Sequence, residues 1–472
     1  MFDHIVFLSL DTLRSDCIAS NPYKLWPGKY GLPAVLDTPV LDEIAADGAF
    51  FSNCITAAPY TSASHGTFFT GKWPLRHGVY EFFNRALRAE TIFSAARRAG
   101  FATTFKVDFP IILGKFLGFD RGIERYIVED DDAFLQAISS QRRNVALAHF
   151  GGLHVPYGFH NLHYGGKSYI ETVRRLEAEI PASEASPVDA LVETYRDSED
   201  LGLMLKYKRI VQHHYELKNY SKLFQLYLEG VEHFLENRFA PFFRKLKKVL
   251  SGSSFLIILF GDHGEEYDED SYGHHNSMSE GVLRVPLVFY GTGVKAGVYN
   301  QRVRSVDVLP TILDLLRGSG MGRLKLDGAS LAETVVNRAA YPVRPAFAQA
   351  YAAETNKYVA YQKKLLTKGA KTGSLHHVLY KEAVYSDNLK LTRQHYQYEQ
   401  AGGIWGLTKC AEKISLQQFN EENCLSSCKA QDHVPSLLAQ LDQYNKLLRP
   451  QNQPLAIPNQ IREQLQNMGY QV

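Results

Sequence analysis

The sequence predicts an α/β protein, with a mostly parallel sheet flanked by helices and a smaller C-terminal α+β domain. Three observations carry this expectation. Residues 4–10, 145–150 and 254–260 are short runs that are apolar on both faces, the pattern of strands buried centrally in a parallel sheet. Runs with helical spacing alternate with strand-like runs through most of the chain. Each of the three central runs leads into a polar turn, reaching Asp11, His154 and Asp262. In open α/β sheets the ligand site lies outside the carboxyl ends of the strands, so these turns are expected to converge.

The elements follow in order. After the first strand, Thr38 and Pro39 open a helix as its expected N-cap and first residue, and the helix is expected to close near Gly48. Residues 50–55 read as a strand, about 89–99 as a helix and 101–105 as a further strand. Between the second and third central runs, about 160–250 form an expected helical insertion, with helical periodicity over 215–250. Its end, 238–248, is basic and aromatic and is interrupted by Pro241, which favours a solvated helix face over a membrane anchor. Residues 383–392 read as a hairpin around Ser386-Asp387-Asn388. The division expected is a catalytic domain over 1–338 and a smaller domain over 339–472.

Composition narrows the partners. The 472 residues are 45% hydrophobic and 22% charged, with 52 Lys and Arg against 50 Asp and Glu, a net charge of +2. A chain of this length exceeds one hydrophobic core, and its near-neutral balance gives no bulk attraction for nucleic acid. No run approaches the roughly 18 apolar residues of an integral membrane segment. The start, Met1-Phe2-Asp3-His4, lacks a secretion signal, and five scattered Cys make no disulfide framework. A cytoplasmic location is expected. Cys424 and Cys428 read as incidental thiols rather than a metal pair. The oligomeric state is left open.

Three turns carry the chemistry: Leu10-Asp11-Thr12-Leu13-Arg14, Pro59-Tyr60-Thr61-Ser62-Ala63-Ser64-His65-Gly66 and Phe260-Gly261-Asp262-His263-Gly264. Asp11, Asp262 and His263 supply two carboxylates and an imidazole, a set suited to one divalent cation with an open position. A hydroxyl from Thr61 or Ser62, at a strand-to-helix turn, would fill that position and be activated there. Arg14 either orients Asp11 or pairs with another carboxylate. His65 and His77 read as structural or supporting, and His213-His214 as a polar helix face.

These motifs, in this order, resemble the sulfatase branch of the alkaline phosphatase superfamily. Ser9-Leu10-Asp11-Thr12 is similar to the family's first metal-binding strand end, and Gly261-Asp262-His263-Gly264 to its second metal-binding turn. Thr70-Gly71-Lys72-Trp73-Pro74 resembles the segment trailing the nucleophile, which places that position on Thr61, with Ser64 the alternative. Arg284-Val285-Pro286, Ser305-Val306-Asp307 and Asp327-Gly328 match later landmarks. The resemblance implies an alkaline phosphatase-like fold.

Relatives carry Cys or Ser at the nucleophile position, with Pro or Ala two places on and Arg four places on, and convert it to formylglycine. Here the positions read Thr61, Ala63 and His65, so direct attack by Thr61 is expected instead. The imidazole in the ligand set favours manganese or zinc over calcium. The resemblance further implies that His154 and His275 bind the anion or protonate the leaving group, and that Lys106 and Asp108 stand where a family Lys and His do. A second metal, supported by His154, His274 or His275, is an open alternative. The expected function is metal-dependent hydrolysis of phosphate diesters, phosphonate monoesters or related sulfate esters, on a small-molecule or glycan-linked substrate. Phospho-group transfer to an alcohol, a conventional sulfatase and an inactive anion-binding protein are the alternatives.

Overall fold

The computed structural model describes residues 2–80, 85–180, 198–274, 277–316, 321, 324–351, 379–401, 404–419, 425–427, 431–447 and 458–461. Its sheet comprises His4–Leu10 (β1), Ala49–Ile55 (β2), Ala102–Val107 (β3), Arg125–Val128 (β4), Asn144–Phe150 (β5), Phe255–Gly261 (β6), Arg284–Gly291 (β7), Gly297–Tyr299 (β8) and Val303–Arg304 (β9). The order is β4-β3-β5-β1-β6-β7-β2-β8, with β9 also paired to β2. β7 runs antiparallel to both its neighbours, and all other pairings are parallel. The sheet is therefore mostly parallel, as expected.

β1 shows why the double-sided apolar runs become central strands. Ile5 and Phe7 enter one core, while Val6, Leu8 and Leu10 enter the other. Each such buried side chain contributes roughly 2 kcal/mol, so burial on both faces outweighs any local preference and seats β1 between β5 and β6.

The helix Pro39–Asp47 begins where Thr38 and Pro39 predict, but Thr38 makes no side-chain cap. Its Oγ1 instead accepts from the Ala19 N–H at 2.9 Å and donates to Asp42 at 3.1 Å, tying the incoming loop to the helix. The 215–250 stretch is not one helix. Glu199–Glu216 ends at Lys218, which has a left-handed φ of 55°, and Tyr220–Phe234 passes through a π-helical turn, Leu235–Phe239, into Ala240–Leu250. Pro241 sits in the first turn of that last helix without ending the chain's helical course. The wider turn before it accommodates the missing N–H and the ring. Nor is 238–248 simply a solvated face: Arg238, Phe239, Phe242 and Phe243 are buried, while Lys245 and Lys247 are exposed.

A second, antiparallel sheet runs Ala346–Tyr351 (β10), Leu379–Ser386 (β11), Leu389–Ala401 (β12), Ile404–Phe419 (β13) and Leu425–Ser427 (β14) in that order. The β11–β12 turn at Asp387, φ 48°, is the expected hairpin. The helix Val434–Asn445 packs Leu437 and Leu441 on Val384 and Leu391. A buried knot ties this sheet to the first: Glu280 accepts from Arg284 and Lys390, both at 2.8 Å, and from Tyr385 at 2.6 Å. Cys424 and Cys428 lie outside the described residues.

Candidate active site

The register of the central strands brings the acidic turns together. Leu10 pairs with Phe150 on one side and Gly261 on the other, so Asp11 and Asp262 leave adjacent strands at the same level. Thr12 then turns with φ 62°, a conformation rarely held by a β-branched residue. The turn aims its N–H at Asp262 Oδ1, 3.2 Å away, while its hydroxyl donates to the Leu153 carbonyl at 2.7 Å. Close approach demands glycine on the facing turn, because a Cβ on Gly264 would lie 2.0 Å from the Gly281 carbonyl oxygen.

Thr61 opens the helix Thr61–Thr70, every residue of which is buried. Its hydroxyl is distinguished from its neighbours by what they already do. Ser62 donates to the Ile112 carbonyl at 2.8 Å, and Ser64 to the Asp262 carbonyl at 2.6 Å. Thr61 Oγ1 instead faces His263 Nε2 at 3.3 Å. His263 Nδ1 lies 3.1 Å from the Gly264 carbonyl and donates to it, which leaves the Nε2 lone pair directed at Thr61 and the carboxylates.

The carboxylates are unusual in what they lack. Asp262 Oδ1 accepts from two backbone N–H groups, those of Thr12 and His263, yet Asp262 Oδ2 and both oxygens of Asp11 are buried without a hydrogen bond. Asp11, Asp262 and His263 present one ligand atom each within 4.8 Å of one another. Burial and the Asp11 charge push the Asp262 carboxyl up. Burial acts the same way on Asp11, but the nearby imidazoles of His149 and His263 outweigh it and hold that carboxyl below its ordinary range. Two uncompensated carboxylates beside an imidazole lone pair fit a divalent cation, which would satisfy all of them at once.

Other imidazoles surround this group. His154, at the end of the β5 turn, has Nδ1 3.1 Å from the Val155 carbonyl, and burial pushes its pKa down. Its ring is 5.2 Å from that of His274, which in turn stacks 4.2 Å from His263, with Nδ1 3.4 Å from Glu265. His149 Nε2 lies 3.3 Å from Asp11. His65 joins the Thr61 carbonyl and Ser9 Oγ, both at 2.8 Å, and burial pushes its pKa down to about 3. His77 is buried against Thr67 at 3.2 Å, away from the carboxylates. His275 lies outside the described residues.

His149 was not singled out by sequence. Its signal was a polar residue inside an apolar run, and it sits opposite Ser9, the polar interruption of β1. Lys106 and Asp108 do not stand free for an anion. Lys106 bonds Asp108 at 2.7 Å and Asp131 at 2.9 Å, and Arg238 from the insertion bonds both carboxylates. Arg14 chelates Asp16 through two bonds of 2.8 Å rather than Asp11.

A mixed, mostly parallel sheet with this smaller antiparallel sheet is a fold shared with solved sulfatase-like and phosphonate monoester hydrolase structures. The sulfatase family model matches residues 3–319, and the chain belongs to that family. It is 26% identical over 289 residues to the low-salt glycan biosynthesis sulfotransferase of Haloferax volcanii, a match spanning 59% of this chain and 58% of that protein. It is 23% identical over 371 residues to an arylsulfatase of Clostridium perfringens, covering 66% of this chain and 75% of the relative. The phosphonate monoester hydrolase of Silicibacter pomeroyi superposes with a TM-score of 0.58 at 14% identity, over 94% of each chain, a likeness of fold. Among the described residues, no helix is long and apolar enough to cross a membrane.

Proposed function

We propose that the protein is a metal-dependent ester hydrolase that uses Thr61 as its nucleophile on sulfate esters, phosphate diesters or phosphonate monoesters, within a catalytic unit of about residues 1–338. The observation that carries this reading is the Thr61 hydroxyl, the one hydroxyl of its turn that faces His263 over buried carboxylate oxygens without hydrogen bonds. Asp11, Asp262 and His263, with Thr61 Oγ1, would hold the cation, manganese or zinc by the nature of this donor set. A bound cation supplies charge stabilisation to the nucleophile and to the non-bridging oxygens of the ester.

The remaining steps belong to the chain. Thr61 Oγ1 gives up its proton to solvent and attacks the sulfur or phosphorus in line as the bond to the leaving oxygen breaks. His154 donates its Nδ1 proton to a backbone carbonyl in this structure, so its Nε2 is the atom that would bind the anion or, protonated, hand a proton to the leaving oxygen. His274, held by Glu265, faces the same space. Water then attacks the Thr61 ester and restores the hydroxyl. Purified protein should hydrolyse 4-nitrophenyl sulfate, phenylphosphonate or bis-phosphate esters only with a divalent cation, and full turnover by Thr61→Ala would overturn the reading.

A second reading has its own support in the sulfotransferase relative: an alcohol, rather than water, releases the group from Thr61. Hydroxylated acceptors would then give a transferred product at the expense of free sulfate or phosphate.

A further inference from the structure

The start of the helix Thr61–Thr70 is anchored by side chains of its own first turns. Ser62 reaches the Ile112 carbonyl, Ser64 the Asp262 carbonyl beyond β6, and His65 reaches Ser9 on β1, two residues before Asp11. His65 differs from the other two because it also grips the residue proposed as nucleophile. Its Nδ1 lies 2.8 Å from the Thr61 carbonyl oxygen, and its Nε2 lies 2.8 Å from Ser9 Oγ. Among the described residues, no other side chain bonds the Thr61 backbone.

These partners settle where the ring carries its proton. A carbonyl oxygen can only accept, so Nδ1 bears the hydrogen and Nε2 keeps its lone pair. Ser9 then donates to Nε2, and the chain of bonds runs from the Ser9 hydroxyl through the imidazole to the Thr61 carbonyl. Asp262 Oδ2, at 3.6 Å from Nδ1, is beyond hydrogen-bond reach. Ser9 and His65 are both wholly buried, and the ring packs edge to face against Phe69 and Phe260, with centroids 5.5 Å apart in each pair. Turning the ring would leave a buried hydroxyl and a buried carbonyl without this partner, which is costly. The imidazole therefore fixes the spacing between the strand that delivers Asp11 and the turn that delivers Thr61.

We propose that His65 is a positioning residue, a strut from Ser9 to the Thr61 carbonyl that sets the approach of Thr61 Oγ1 to the carboxylate pair. Its part in turnover rests on the Thr61 reading; its hydrogen bonding does not. Rates on 4-nitrophenyl sulfate and bis(4-nitrophenyl) phosphate, with manganese or zinc and well below each variant's melting temperature, test the first. His65→Ala is expected to lower kcat about 10²-fold, the cost of misplacing a reacting group by about 1 Å, with KM within about twofold of wild type. His65→Asn, whose amide N–H can stand in for Nδ1–H, should regain about tenfold of that loss. Ser9→Ala, which cuts the strut without touching the helix, should lower kcat by itself and add nothing in the His65→Ala background. His77→Ala is the control, because this imidazole is as deeply buried but bonds Thr67, so its loss should cost stability and leave kcat unchanged. Wild-type kcat in His65→Ala or, should that variant not fold, in Ser9→Ala overturns the proposal, as does an equal fall in His77→Ala. Nitrogen NMR of histidine-labelled Thr61→Ala protein tests the hydrogen bonding, with the His65 signals assigned through their loss in His65→Asn. A proton on Nδ1 is expected, and one on Nε2 overturns the strut. Failure of the Thr61 reading would instead appear as turnover in Thr61→Ala, leaving that spectrum where it was.

Discussion

Thr61 Oγ1 and His263 Nε2 face each other at 3.3 Å, although 202 residues separate them in the chain. The contact exists because one turn starts a wholly buried helix and the other ends a central strand. Beneath it, both oxygens of Asp11 and one of Asp262 accept no hydrogen bond.

Removing the hydroxyl should act on chemistry rather than folding. Thr61→Ala is expected to lower kcat by about 10³-fold or more, as loss of a nucleophile does, with little change in melting temperature. Thr61→Ser should keep part of the rate. Ser64→Ala, which deletes the bond to the Asp262 carbonyl, should instead cost about 1 kcal/mol of stability. Steady-state rates and melting curves of the three variants separate the roles.

Of the two carboxyls, Asp262 is the one that burial and the Asp11 charge push up, to about 6, so carrying its charge at neutral pH is a source of instability in metal-free protein. Asp262→Asn is predicted to raise the melting temperature of chelator-treated protein, by the equivalent of about 1–2 kcal/mol, while abolishing activity. Manganese or zinc should raise the melting temperature of the wild type and not of this variant. An equal shift in both would place the cation elsewhere.

Acid stability should depend on Glu280. Burial alone raises its pKa, but Lys390 and Arg284 outweigh that effect and hold it at about 2 against an ordinary 4.5. A depressed carboxyl contributes stability that is complete above pH 4.5 and lost as pH falls toward 2, here on the order of 3 kcal/mol. Glu280→Gln should therefore be less stable than wild type at neutral pH, and the gap should close through that window. A gap that stayed constant between pH 6 and pH 3 would contradict the assignment.

Arg238 locks the insertion to the sheet edge. It reaches Asp108 at 2.7 Å and Asp131 at 3.0 Å, and Lys106 bonds the same two carboxylates. Arg238→Met leaves the buried Asp108 and the partly buried Asp131 to one lysine and should destabilise by about 3 kcal/mol or more. Arg238→Lys should recover little, because an ammonium cannot span both carboxylates as the guanidinium does. Denaturation midpoints measure both.

Much of this protein was legible in its residue order. Strands apolar on both faces announce a central parallel sheet because only two-sided burial stabilises them, and β1, β5 and β6 follow. Asp11, Asp262 and His263 were legible because each closes such a strand. Less visible were features set by partners far along the chain. Pro241 reads as a break until the preceding π turn is seen, and Lys106 and Asp108 resemble free anion-binding groups until Arg238 occupies them. His149 looks like a strand residue until register places it beside Asp11.

The sequence by itself determined the layered α/β architecture, the order of the strands' polar ends and the small group of donors that could hold a metal ion, since periodicity and side-chain chemistry are local properties. Tertiary structure alone decided which hydroxyl of its turn faces His263, which carboxylate oxygens lack donors among the described residues and which carboxylates Arg238 holds. Those are properties of hydrogen-bond accounting in a closed, dry space, and that account closes only when segments hundreds of residues apart are brought into contact.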